Sequence, residues 1–120
     1  MRSFTARRSK AYAQHMQGIW QSLSRFLESP FEPWPLERLA TLAGMSRSAY
    51  CDSFRTATGM TPKRSISRIR MMLVSQRLST QRLAIDDAAD LAGYGSAAAF
   101  IRAFQREFKM TPAKWRASQR

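Results

Sequence analysis

Nucleophilic or acid–base chemistry would fall to His15 or Cys51, the only histidine and the only cysteine of the chain. His15 has no partner nearby in the sequence, and Cys51 would need a histidine or another activating charge brought close by the fold. The plain alternatives are a surface or core histidine and a small residue on a helix face, and neither residue is expected to be catalytic. Asp86, Asp87 and Asp90 have the placing of helix-start charges rather than of a metal or acid–base pair. Metal binding would need a Cys/His cluster, and phosphate cradling a glycine-rich loop. Both are absent, so no cofactor, no metal and no enzymatic activity are expected.

What the chain has in excess is cationic side chains. Twenty Lys and Arg oppose eight Asp and Glu, a net charge of +12 with a pI near 11.4. A domain with pI above about 9 carries the electrostatic footprint of a nucleic-acid binder, because neutralised phosphates release counterions. A basic surface kept for solubility, or one meeting anionic lipid, is the bland alternative. Against lipid, no helix pairs a wide Trp/Leu face with a continuous Lys/Arg face. No apolar run is long enough to span a membrane, no signal peptide is recognisable, and one cysteine cannot form an internal disulfide. A cytoplasmic protein without membrane contact is expected.

The elements that must position these charges are written twice. Leu42-Ala43-Gly44-Met45-Ser46 leads to Tyr50 and Phe54 and closes on Gly59-Met60-Thr61-Pro62; Leu91-Ala92-Gly93-Tyr94-Gly95 leads to Phe100 and Phe104 and closes on Lys109-Met110-Thr111-Pro112. Two copies are too few for a solenoid, which needs at least about three. They predict a pair of supersecondary units and a pair of contacts.

Apolar residues spaced three and four apart predict a first helix over 11–27, carrying Met16, Ile19, Trp20, Leu23, Phe26 and Leu27. Residues 1–10 are basic and without period, and are expected to be an arm or linker stub. Pro30, Pro33 and Pro35 forbid regular structure before a helix over 36–43. Gly44 ends that helix in the left-handed conformation, and Ser46 caps the next, over 47–58, which buries Tyr50 and Phe54. Pro62 opens a long helix to Ser79 with Ile66, Ile69, Leu73 and Leu78 on its apolar side, roughly 25 Å of stiff spacer. A helix over 85–92, a turn at Tyr94-Gly95, a helix over 97–108 capped by Ser96 with Phe100, Phe104 and Phe108 as its buried stripe, and a short helix from Pro112 complete an all-α chain of about seven helices. The second turn is one residue longer than the first: Gly44 to Tyr50 is six steps and Gly93 to Phe100 seven.

Helix, short glycine turn, helix is helix-turn-helix grammar, in which the second helix places its N-terminal residues on base edges of the major groove. The chain also resembles the DNA-binding region of AraC/XylS-type transcription regulators. The resemblance rests on Leu39-Ala40, Ala43-Gly44-Met45-Ser46-Arg47-Ser48, Phe54, Gly59-Met60-Thr61-Pro62, Arg70, Gly93-Tyr94, Ala99-Phe100, Arg102-Ala103-Phe104, Phe108, Thr111-Pro112 and Trp115-Arg116. It covers residues 36–117, with the first helix fitting an extra helix packed before the first unit. Ser65, Ala88 and Lys109 depart from a pattern that usually has an aromatic, a larger aliphatic and a glycine there.

The resemblance implies two helix-turn-helix lobes, 11–61 and 80–120, joined by a linker helix, 62–79. It implies base reading by Arg47, Ser48, Cys51 and Asp52 in the first lobe and by Ala97, Ala98, Ile101 and Arg102 in the second. Arg55, Lys63, Arg64, Ser96 and Arg106 are assigned to the DNA backbone, whose contacts position without specifying. Arginine takes a guanine edge with two hydrogen bonds, whereas alanine offers contact only with a thymine methyl. Asp52 either accepts from a cytosine amine or holds Arg47 or Arg55 in place.

The expected function is therefore sequence-specific binding of double-stranded DNA through two successive major grooves, with regulation of transcription. RNA polymerase is a further candidate partner. Members of the family often carry a separate sensory domain that does not fit in this length, so the chain is expected to be a stand-alone regulator or the DNA-binding part of a longer one. A nonspecific nucleic-acid binder, or a protein-interaction module of a larger regulator, are the alternatives, with a nucleotide-processing enzyme behind both.

Overall fold

A computed structural model of the chain describes the backbone of residues 2–119, with side chains from residue 10 onward. Among these residues there are seven helices and no strands: α1 (Arg2–Glu28), α2 (Leu36–Leu42), α3 (Arg47–Thr58), α4 (Pro62–Thr80), α5 (Ile85–Leu91), α6 (Ala97–Phe108) and α7 (Pro112–Ser118). They form two compact units, Met1–Ser65 and Ile66–Arg120, with α4 running across the division.

The expected helix positions hold, with one large difference at the start. α1 begins at Arg2 rather than Ala11, so the stretch expected as an arm is helical from Arg2 on; Met1 lies outside the described residues. Residues 2–10 contain neither Gly nor Pro and include Arg2, Ala6, Arg7, Arg8 and Lys10, all strong helix formers, so a missing apolar period does not stop the helix.

In the first unit α1 packs on α2 and α3 through Ile19, Ser22 and Phe26, all buried. Half of the apolar stripe expected on α1 points away: Trp20 is 67% exposed, and Met16 and Leu27 are exposed too. The inner face is instead set by close approach. A Cβ on Gly18 would stand 2.6 Å from the Ala43 carbonyl oxygen, so glycine alone lets α1 lie this near the end of α2. Tyr50 and Phe54 fill the core from α3 as expected, and the Ser22 hydroxyl, donating to the Ile19 carbonyl at 2.7 Å, meets the Tyr50 hydroxyl at 2.8 Å. The proline-rich loop is fastened by Trp34, whose ring meets Phe26 edge-on and whose indole N–H donates to the Ser29 carbonyl at 2.8 Å.

In the second unit the buried side of α4 is Met71, Val74, Ser75 and Leu78. The stripe read from the sequence, Ile66, Ile69, Leu73 and Leu78, is only partly correct: Ile66 and Leu78 are buried, but Ile69 and Leu73 are half-buried. This helix carries apolar residues around most of its circumference, so its period alone does not pick the face. Ala88 and Ala89 of α5, its capping residue Ala92, and Phe100, Ala103 and Phe104 of α6 complete the core, with Phe108 only half-buried. Phe108 stacks on Trp115 of α7 at 5.5 Å, and the Trp115 indole donates to the Ser75 carbonyl at 3.0 Å. Arg116 donates to the carbonyls of Leu78 and Leu83, tying the end of α4 and the loop after it to α7.

Candidate nucleic-acid interface

Each unit builds its turn from the same hydrogen bonds. After α2, Gly44 takes φ +70°, its amide donates to the Thr41 carbonyl at 3.0 Å, and the Met45 amide donates to the Ala40 carbonyl at 2.9 Å. After α5, Gly93 takes φ +86°, donating to Asp90 at 3.1 Å, while Tyr94 donates to Ala89 at 2.9 Å. Both are complete Schellman motifs, which satisfy the last carbonyls of the first helix while reversing the chain. The next helix is then started by a serine: the Ser46 hydroxyl accepts from the Ala49 amide at 3.2 Å, and the Ser96 hydroxyl from the Ala99 amide at 3.1 Å. Met-Thr-Pro does equal duty twice downstream, with Thr61 accepting from the Arg64 amide and Thr111 from the Lys114 amide.

The ends of α3 and α6 are closed by different residues in the same conformation. Gly59 and Lys109 both sit in the left-handed region, at φ +77° and +61°, and each donates to the carbonyl four residues back. Lys109 is the only described non-glycine residue with positive φ. It holds a conformation that costs a side-chain-bearing residue roughly 1–2 kcal/mol.

α3 presents Arg47, Ser48, Asp52 and Arg55 to solvent, with Cys51 half-buried. Arg47 has a partner that the sequence reading missed. Its guanidinium lies 3.1 Å from the Glu37 carboxylate of α2, whereas Asp52, considered as its holder, makes no ion pair among the described residues. Ten residues separate Glu37 from Arg47, and only the turn between α2 and α3 brings them together. His15 also gains a neighbour: its Nδ1 is 3.0 Å from the Ser53 hydroxyl, beside a shallow groove lined by Tyr12, Met16, Asp52 and Thr56.

α6 presents a different face. Ala98, Arg102 and Arg106 are exposed, Ala97 and Ile101 half-buried, and exposed Ser96 caps the helix. Lys63 and Arg64 are exposed in the first turn of α4. Among the helix first turns from α2 onward, only those of α2 and α5 carry acids, Glu37, Asp86 and Asp87; those of α3, α4, α6 and α7 have none. The helix dipole favours acids at every N-terminus, so leaving them out of the second helix of each pair keeps those amide ends available to an anion. Among the described residues no group of His, Cys, Asp or Glu could hold a metal, and no helix is long and apolar enough to cross a membrane.

Comparison with known proteins agrees with this geometry. A family model described as a helix-turn-helix domain matches residues 39–118. The chain is 35% identical over 94 residues to the RCS-specific HTH-type transcriptional activator RclR of Escherichia coli K12, covering 78% of this chain and 33% of that protein. It is 37% identical over 87 residues to the HTH-type transcriptional regulator AlkR of Acinetobacter baylyi, covering 72% of this chain and 28% of the other. The chain thus spans about a third of the length of these relatives. Among solved structures, the DNA-binding domain of AdpA, a global transcriptional factor in complex with a target DNA, superposes with a TM-score of 0.75 at 29% identity, covering 83% of this chain and 90% of that one. An AraC-type regulator from Chromobacterium violaceum shares the fold, with a TM-score of 0.82 at 21% identity over 89% of this chain and 96% of that one. Two Schellman-turned helix pairs joined through one long helix, a helix-turn-helix family model matching residues 39–118, and relatives of this kind place the chain in the AraC/XylS-type helix-turn-helix family.

Proposed function

We propose that this chain binds a specific double-stranded DNA site and regulates transcription, with α3 and α6 as two reading helices in successive major grooves. The observation that carries this is the duplicated turn: two helices, each started by a serine cap behind a Schellman reversal, present exposed N-terminal faces without an acidic residue in the first turn. The excess of positive charge supplies the polyanion partner, and the likeness to the AdpA domain solved on DNA supports the same use of the same elements. The chain is read as a binding module and not an enzyme, acting in the cytoplasm where its DNA is.

Arg47, Ser48, Cys51 and Asp52 read bases in the first lobe, and Ala97, Ala98, Ile101 and Arg102 in the second. Arg55, Lys63, Arg64, Ser96 and Arg106 hold the backbone; the Ser96 hydroxyl oxygen accepts the cap hydrogen bond and keeps its proton for a phosphate oxygen. RNA polymerase contact and a sensory domain in a longer chain belong to the same proposal, and rest on the family and on the share of the relatives' length that is matched.

The test is selection of bound duplexes from random DNA followed by footprinting. Two protected major-groove patches about one helical turn apart, 10 to 10.5 base pairs, are expected. One short patch would overturn the two-groove reading. Binding with no sequence preference would favour the nonspecific alternative.

A further inference from the structure

The two reading faces differ in kind. On α3 every assigned residue can form a hydrogen bond or carries a sulfur atom. On α6 the outward side from the first turn onward is half-buried Ala97, exposed Ala98 and half-buried Ile101, none with a polar side-chain atom, and then Arg102 and Gln105, both exposed. Ala98, Ile101, Arg102 and Gln105 follow the i, i+3, i+4, i+7 spacing of one helix face. Ser96 caps the helix by accepting from the Ala99 amide, and its proton is assigned above to a phosphate oxygen. Arg102 makes no ion pair among the described residues, unlike Arg47, which Glu37 holds.

Alanine and isoleucine discriminate only apolar features, and the one apolar feature on a major-groove base edge is the C5 methyl of thymine. We propose that the second reading head recognises its half-site mainly through pyrimidine C5 methyls, packed against Ala98 and Ile101, with Arg102 taking an adjacent guanine edge. This rests on the DNA-binding function proposed above. It has a consequence for modified DNA: 5-methylcytosine carries its methyl at the same ring position, so a methylated C·G pair is preferred over the unmodified pair.

The test uses the chain bound to a duplex obtained by selection, with the second half-site identified as the one whose base preference is relaxed by Arg102→Ala. Each thymine is replaced singly by deoxyuridine, which removes the methyl and keeps every Watson–Crick and groove hydrogen bond. At one or more second half-site positions affinity should fall about fourfold, the worth of one buried methyl-sized group. First half-site thymines should be insensitive. At a sensitive position, 5-methylcytosine opposite guanine should bind about fourfold tighter than cytosine. Ile101→Ala, or Ala98→Gly if the half-buried isoleucine proves structural, should erase the uracil penalty. If two half-sites are selected and protected but no thymine of the second responds to uracil, methyl reading is wrong while DNA binding stands. If no duplex is selected, the underlying function fails instead.

Discussion

The guanidinium of Arg47, first residue of α3, lies 3.1 Å from the carboxylate of Glu37 in the first turn of α2, with the two side chains 64% and 61% exposed. An ion pair this open contributes about 0–1 kcal/mol to folding. Its consequence lies in binding, because it holds the only arginine of the α3 reading face that stands in the first helical turn against an acid that DNA phosphates repel. Glu37→Gln should leave the unfolding midpoint nearly unchanged and raise DNA affinity about two- to fivefold at low salt, by removing one repulsive charge and freeing Arg47. Gel-shift titration measures this. A loss of affinity would mean instead that Glu37 positions Arg47 for contact.

Arg102→Ala should cost about 1–3 kcal/mol on the preferred duplex and relax preference at one base pair. Equal weakening on all sequences would reassign Arg102 to the phosphate backbone. Wild-type affinity should fall by about 10³ to 10⁵ between 50 and 200 mM salt if six to ten phosphates are contacted.

Ser22 and Tyr50 form the buried polar contact of the first unit, and their two deletions are not equivalent. With Tyr50→Phe, the Ser22 hydroxyl still donates to the Ile19 carbonyl, so the cost should stay near the typical net hydrogen-bond value of about 1 kcal/mol. With Ser22→Ala the fully buried tyrosine hydroxyl loses its partner, which costs about 1–3 kcal/mol. Burial is the main reason that the Tyr50 phenol is raised above its ordinary 10.0, while the hydrogen bond with Ser22 pulls it the other way. The folded state therefore holds this proton more tightly than the unfolded state. The contribution is fully present below pH 10 and is lost as pH climbs beyond it toward the raised value. Denaturant unfolding compared between wild type and Tyr50→Phe should show a steeper alkaline loss in the wild type; parallel profiles would count against the buried phenol.

Lys109 occupies a left-handed cap position that glycine fills in the first unit. Lys109→Gly should stabilise the second unit by about 1 kcal/mol, and Gly59→Lys should destabilise the first by a similar amount. Thermal unfolding by circular dichroism checks both. If both substitutions were neutral, the left-handed geometry would not be the cost that separates the two caps.

Much of this protein is decided locally and was legible in its residues. Gly44 and Gly93 end their helices, Ser46 and Ser96 start the next, and Thr61-Pro62 and Thr111-Pro112 start the ones after, because caps and reversals are made by hydrogen bonds reaching no more than five residues. Repeating those signals, with one extra residue in the second turn, set the two helix pairs and the faces that α3 and α6 turn outward. The tertiary structure decided what depends on distant neighbours. It chose Met71, Val74 and Ser75 for the inner side of an α4 whose apolar residues are spread around its circumference among polar ones, turned Trp20 outward because Gly18 is where α1 comes close to Ala43, and gave Arg47, Tyr50 and His15 their partners in Glu37, Ser22 and Ser53. Those pairs lie 10, 28 and 38 residues apart. No local period encodes them; packing of whole helices brings them within reach.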